Sequence, residues 1–427
     1  MSFGLAVAIG NTIAAGIVRT PGEIATQVAS PWLFLGVWLA GGLYALLGAN
    51  SLAELATMIP RSGGQYVYAH RALGPYAGFI VGWSDWISTC STTAAVSIVI
   101  GEYSGALIPA LAGRTVSIAV GVALAFAVLQ WRGVRWGSRT QELTAALKTL
   151  AFVALVVACF ALGGGRQSAA AVHAPVGLGL AVAVVLSLQA VIYTYDGWDG
   201  VIYFAEEVRE PGRDILRSMF GSVLSIMAIY LLLNAALVYV LPMREIAGQT
   251  FALGVAAQRV FGAHGDAIVR MVMVVSLLSG INAYHLMASR VLFGMSRDGL
   301  FSSRGAAVNP GGTPTVALFL SAAVAVAFIV SGSFEKVIAV TAFFFVANYT
   351  MSFISIFVLR RREPNTPRPY RAWGYPWTPG AALLGSLGFL AGAVASDTRN
   401  SVWALLLLAA SYPAYRLLRW LARPASS

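Results

Sequence analysis

Charge is scarce in this sequence. Of its 427 residues only 11% are Asp, Glu, Lys or Arg, where a soluble domain carries about 25%. Cysteine is scarcer still. Cys90 and Cys159 both lie inside apolar runs, which excludes a disulfide scaffold and reads them as small buried hydrophobes. The four histidines, His70, His173, His264 and His285, show no metal-ligand spacing. No Ser/His/Asp order, phosphate loop or metal cluster accompanies them, so neither an enzyme nor a bound metal or cofactor is expected. A basic segment ahead of the first apolar run is missing too, since the chain opens Met1-Ser2-Phe3. No cleavable secretory leader is therefore expected.

What is abundant is apolar residue: 58% of the chain, with a mean hydropathy of +0.75. That surplus is too large for a water-soluble core, and it is arranged in repeated runs of about 20 residues, the length that crosses a bilayer. Twelve spans are expected, at 3–28, 31–58, 75–108, 115–131, 140–163, 177–205, 213–241, 264–295, 314–332, 336–360, 378–396 and 400–420. They use up the chain, so residues 1–427 read as one transmembrane domain. The lipid bilayer is then the first partner, in the inner or plasma membrane of the cell.

The net charge of +11 follows from topology rather than from a nucleic-acid partner. Basic residues sit in short clusters between apolar runs and are gathered on no single face. With the N-terminus inside, nineteen arginines fall in inner segments against seven basic residues outside, Arg19 and Lys148 lying within spans. Both termini are thus expected in the cytosol.

Spans 1 and 6 are interrupted. Span 1 carries Ile9-Gly10-Asn11-Thr12-Ile13-Ala14-Ala15-Gly16-Ile17, and span 6 carries Tyr193-Thr194-Tyr195-Asp196-Gly197-Trp198-Asp199-Gly200. Non-helical backbone at membrane depth is tolerated only beside a cavity or buried in protein. For span 1 a close helix contact made by small residues is the competing reading. Two carboxylates flanking Gly197-Trp198 at that depth point more strongly to a functional site. The interruptions are five spans apart, and an odd number of spans inverts the second half relative to the first. An all-α membrane protein with a 5+5 inverted repeat and broken helices 1 and 6 is therefore expected, with 1–163 and 177–360 as the repeats and 378–420 as two added spans. Free N–H groups at half-helix starts favour an anionic group, and free carbonyls at half-helix ends a cationic one. A zwitterion of amino-acid size satisfies both.

These residues carry a family resemblance. Tyr193 to Asp199, continued by Ala205-Glu206-Glu207-Val208-Arg209-Glu210-Pro211-Gly212-Arg213, resembles the aromatic-x-Tyr-x-Gly-Trp and Glu-Glu-x-x-x-Pro-x-Arg elements of the amino acid–polyamine–organocation superfamily. Pro60-Arg61-Ser62-Gly63-Gly64-Gln65-Tyr66, Arg297-Asp298-Gly299-Leu300 and Gly312-Thr313-Pro314 add to it. The likeness covers spans 1 to 12 and is nearest the L-type and serine/threonine-exchanger-like transporters. It implies a substrate site formed by Thr12, Ile13, Ala14, Ala15, Gly16 and Ile17 with Tyr193, Thr194, Tyr195, Asp196, Gly197 and Trp198. The substrate carboxylate would meet the N–H groups of Ala15 and Gly16, its ammonium the carbonyls of Thr12, Tyr193 and Asp196, and Tyr193 would gate the site. Where the family has Gly-x-Gly-Ile, this chain has Ala14-Ala15-Gly16-Ile17. The added methyl restricts the backbone and favours a small substrate.

The resemblance also makes Lys148 a built-in substitute for a sodium ion, facing Ser276 and Ser279 of span 8. Snorkelling to the membrane edge is the alternative for the lysine, and plain helix contact for the serines. Asp85 and Glu102 in span 3 read as proton carriers or as acids near an interface. Glu54 is expected to pair with a cytosolic arginine. Together these features describe sodium-independent alternating access for small neutral amino acids, by exchange or proton symport. Cationic amino acids or polyamines, held by Asp196 and Asp199, are the alternative substrates. A channel or a non-translocating sensor is the rival from another class. Nothing in the sequence calls for an obligatory protein partner.

Overall fold

The computed structural model describes residues 12, 15–132, 137–164, 178–331 and 334–421. Among them the chain is helical, with one isolated bridge between Val308 and Pro314 and no strand. The helices are α1 (Ala15–Gln27), α2 (Pro31–Met58), α3 (Tyr66–Leu73), α4 (Pro75–Leu107), α5 (Thr115–Trp131), α6 (Gly137–Leu162), α7 (Leu178–Tyr195), α8 (Pro211–Val240), α9 (Met243–Ile246), α10 (Ala252–Phe261), α11 (Gly265–Arg297), α12 (Thr315–Ser331), α13 (Phe334–Arg362), α14 (Trp377–Ser396) and α15 (Thr398–Leu421). Among the described residues seven stretches are long and apolar enough to cross a membrane: α2, 179–207, α8, α11, 337–362, α14 and 398–420. The apolar parts of α5, α6 and α12 are shorter.

Helix α4 has the length of a span but not the apolarity, and its surroundings say why. It is the central helix, packed against α3, α5, α11, α12 and α13, so its polar side chains face protein. Ser84, Thr89, Thr92, Thr93 and Ser97 turn back to carbonyls four residues earlier, at 2.7–3.0 Å. Others reach across: Trp86 Nε1 donates to Ser321 Oγ (2.8 Å), Ser91 pairs with Thr341 (2.6 Å), and Ser84 donates to Asn348 Oδ1 (2.5 Å). Where every neighbour is apolar, such bonds select one helix arrangement.

Three helices fall in stretches that the apolar pattern leaves as loops: α3, α9 and α10. They are short and pack beside the long helices rather than crossing with them. The loop before α10 docks on α1. Gly248 N–H donates to the Gly22 carbonyl (3.0 Å), and a β-carbon at Gly22 would collide with the Gln249 carbonyl.

The opposite, arginine-rich end is tied by charge. Arg61 pairs with Asp298, Arg297 with Glu206 and Arg290 with Glu207, so the Glu206-Glu207 motif meets the last turns of α11. Arg71 and Glu363 make a two-pronged pair. Glu54 sits deepest, 1% exposed, and pairs with arginines as its sequence context predicts. It accepts two bonds from Arg360 (2.8 and 2.5 Å), one from Arg368 (3.1 Å) and one from Ala372 N–H (2.7 Å), clamping α2 to α13 and to the segment after it.

Glu54→Ala leaves Arg368 and the Ala372 N–H buried without their acceptor. Removing one partner of a buried pair costs about 3–5 kcal/mol. The variant is expected to unfold in detergent at a clearly lower midpoint than the parent; an unchanged midpoint would show the clamp contributes no stability.

Candidate functional site

Helix α7 stops at Tyr195 because Gly197 takes a positive φ of 105°, a conformation glycine adopts without strain. Asp196 N–H still reaches the Ile192 carbonyl (3.1 Å). Beyond it Gly200 and Ile202 bond only three residues back, and a 3₁₀ segment, Gly200–Glu207, follows. The turn is supported from outside: Tyr349 Oη donates to Asp196 Oδ1 (2.5 Å), and Ser222 Oγ donates to the Trp198 carbonyl (3.1 Å).

Helices α1 and α7 touch just before that turn. A β-carbon at Gly16 would lie 2.7 Å from Thr194 Oγ1 and 2.9 Å from its Cα, so only glycine lets α1 and α7 come this close. Thr194 Oγ1 also donates to Thr20 Oγ1 (2.9 Å). Tyr230 of α8 joins both segments, its hydroxyl lying 2.7 Å from the Thr12 carbonyl and 3.1 Å from the Thr194 carbonyl. A hydroxyl has one proton, so the two carbonyls share it.

At this junction is a small cavity. Of the residues expected at a substrate site, Thr12, Gly16, Tyr193, Thr194 and Asp196 line it. Thr92, Tyr284 and Phe345 complete the wall. About 10 Å³ is open to the centre of a water molecule, room for about one water. Tyr193 faces Phe345 with ring centres 6.4 Å apart and nearly parallel planes, and the two rings close one side.

Other expected site residues lie elsewhere. Ala15 and Ile17 are buried but do not line the cavity. Tyr195 packs on Trp38 and Tyr230 because the last turn of α7 directs it toward α2 and α8. Trp198 stacks on Tyr349, 5.5 Å between centres, and Gly197 serves the turn. The Thr12 carbonyl already accepts from Tyr230, and the Tyr193 carbonyl from Asp196 N–H (3.3 Å). Ile13 and Ala14 lie outside the described residues.

Lys148 is 1% exposed, so its ammonium does not snorkel to a membrane edge. Its helix α6 packs on α8 and α11. Ser276 of α11 is buried with an Oγ that makes no hydrogen bond. Ser279 is buried on the same helix. Glu102 pairs with Arg19, which ties α1 to α4.

Sequence reasoning missed Tyr230, Thr92, Tyr284 and Phe345. Thr92 had a signal: it belongs to the hydroxyl-rich run Ser88 to Thr93, whose spacing places several hydroxyls on one helix face. The three aromatic residues sit in ordinary apolar stretches and had none.

A helix break after Tyr195 that meets the start of α1 at a small buried cavity fits a membrane permease. Residues 2–412 match the family model described as amino acid permease, and the chain belongs to that family. It is an integral membrane protein of helical type. It is 29% identical over 424 residues to the serine/threonine exchanger SteT of Bacillus subtilis, covering 97% of this chain and 94% of that protein. It is 27% identical to the Asc-type amino acid transporter 1 of Mus musculus, over 86% of this chain and 71% of the relative. The b(0,+)-type amino acid transporter 1 of Mus musculus is 25% identical, over 86% and 77%.

Tyr230→Phe removes the donor shared by two buried carbonyls and changes nothing in shape. Leaving buried acceptors unmet costs about 1–3 kcal/mol. A lower unfolding midpoint together with impaired transport is expected; parental values in both assays would deny the bridge its role.

Proposed function

We propose that this protein is a secondary transporter of small neutral amino acids in the cell membrane, working by sodium-independent alternating access. The observation that carries this reading is the meeting of the α7 break with the start of α1 at one small cavity. Its wall combines helix-break backbone with Thr12, Thr92 and the ring pair Tyr193 and Phe345. In this reading the Gly16 end of α1, on the cavity wall, takes the substrate carboxylate, and the Asp196 turn takes its ammonium. As it stands the cavity admits about one water, so any amino acid requires it to widen, and one of alanine, serine or threonine size requires the least. The relatives described as a serine/threonine exchanger and as Asc-type transporters support that choice.

The architecture in this reading is twelve spans arranged as inverted repeats 1–163 and 177–360, with 378–420 added and both termini cytosolic. The arginine-rich end then faces the cytosol. Its ion pairs at Asp298, Glu206 and Glu207 form the closure on that side. Asp196 on the cavity wall is the one observation that favours a cationic substrate. Its engagement by Tyr349 favours a structural task instead.

Uptake of labelled alanine, serine and threonine into proteoliposomes, with and without internal amino acid, tests the reading. No uptake and no exchange of any of them would end it, and displacement by arginine in preference to alanine would transfer it to cationic substrates. Tyr193→Ala is expected to weaken binding by about 1–3 kcal/mol, the order of a lost buried aromatic contact. A thermal-shift titration reads it, and unchanged affinity for all three would move the gate elsewhere. Lys148→Ala should express normally and lose most transport, because an ammonium this deeply buried supplies three donors and one charge inside the helix bundle. Parental activity of that variant, or a sodium requirement in the parent, would remove the lysine from the mechanism.

A further inference from the structure

Three carboxylates lie together between the cavity and the arginine-rich end. Asp196 lines the cavity and is half-buried, while Asp199 and Asp85 are 3% and 2% exposed. Each receives one side-chain donor: Tyr349 to Asp196 (2.5 Å), Gln65 Nε2 to Asp199 (2.9 Å) and Tyr203 to Asp85 (2.7 Å). Gln65 is itself fixed by Ser352, which donates to its Oε1 (3.0 Å). The row therefore runs from the substrate cavity to the loop that carries Arg61.

The charge balance of this row is incomplete. No Arg, Lys or His pairs with the three carboxylates among the described residues. The titratable groups facing them are phenols from every neighbouring element: Tyr68 of α3, Tyr193 of α7, Tyr203 of the 3₁₀ segment, Tyr284 of α11 and Tyr349 of α13. Asp85 Oδ2 is buried and accepts no hydrogen bond. It lies against Gly64, where a β-carbon would come within 2.7 Å of it. Tyr68 Oη, on a fully buried side chain, has no partner either. Burial and then the nearby Asp199 charge raise its phenol above the ordinary range. Several buried anions without a counter-charge are too costly to persist. Among the described residues the acids do not converge on a point where a metal ion would fit. A proton needs no such convergence, only a carboxylate oxygen with nothing donating to it.

We infer that Asp85, Asp199 and Asp196 form the binding site for one proton that is carried with the amino acid, with Asp85 Oδ2 as its seat nearest the arginine-rich end. Binding converts one carboxylate to the acid, and release on the other side returns it; no other bond changes. This rests on the transport reading above and names its coupling ion.

The test uses proteoliposomes with a trapped pH dye and the membrane potential clamped by potassium and valinomycin. With one proton per substrate, alanine accumulation is expected to rise about tenfold per unit of inward pH gradient, with acidification of the lumen when alanine is added. Asp85→Asn should keep alanine-for-alanine exchange and lose both the acidification and the gradient-driven accumulation. Tyr203→Phe, which removes the donor to Asp85 and keeps its shape, should move the pH midpoint of uptake upward. Exchange in the parent with accumulation indifferent to pH would overturn the proton site and leave the transport reading intact. So would accumulation that follows sodium instead. Parental pH responses in both variants would take the proton away from Asp85. Absence of uptake and exchange in the parent would overturn both readings together.

Discussion

A backbone that leaves the helix among apolar surroundings must find partners for its polar groups, and this requirement organises the molecule. The partner here is Tyr230, whose hydroxyl serves the carbonyls of Thr12 and Thr194 at once. Because the donor comes from α8, the Thr12 and Thr194 segments are positioned against a third helix rather than only against each other. Gly16 lets them approach until Thr194 is in van der Waals contact with the α1 backbone. The cavity is what remains where the chain after Tyr195 turns away from helical geometry beside the start of α1.

The rest of the core follows from having to hold that junction. α4 trades apolarity for hydroxyls and can do so because helices cover it on many sides. The turn after α7 is propped by Tyr349 and Ser222, and those props lie on α13 and α8. Local irregularity at the breaks is therefore supported by regular helices that carry single, well-placed polar groups.

Much of this could be read from residue order. Apolar runs gave helix limits that agree within about three residues from Pro31 onward, apart from the break after Tyr195. The break itself was visible because Asp196-Gly197-Trp198-Asp199 cannot continue a helix in lipid without help. Glu54 was assigned an arginine correctly, since a carboxylate near a basic span end has few other partners. Which side chains face the cavity was not legible. Tyr195 and Trp198 share the motif with Tyr193, yet the last turn of α7 points Tyr195, and the positive-φ turn at Gly197 carries Trp198, toward other helices. Tyr230 was invisible because one tyrosine in an apolar run looks like any interfacial aromatic. The short helices α3 and α10 were hidden for a related reason: each is held by its neighbours and is too short to declare itself by periodicity.

The two ends of the molecule are fastened by different chemistry. Arg61, Arg290 and Arg297 hold one end through partly exposed ion pairs, which mobile ions in solution screen. At the other end, backbone meets backbone where Gly248 bonds Gly22 and the Gln249 carbonyl lies against a residue with no side chain to interpose. Neutral amide bonds of that kind are almost indifferent to dissolved electrolyte. Dissolved electrolyte therefore reaches the ion pairs of both ends, Arg19–Glu102 and Arg259–Glu245 included, but not the amide contact that seats the loop before α10 on α1.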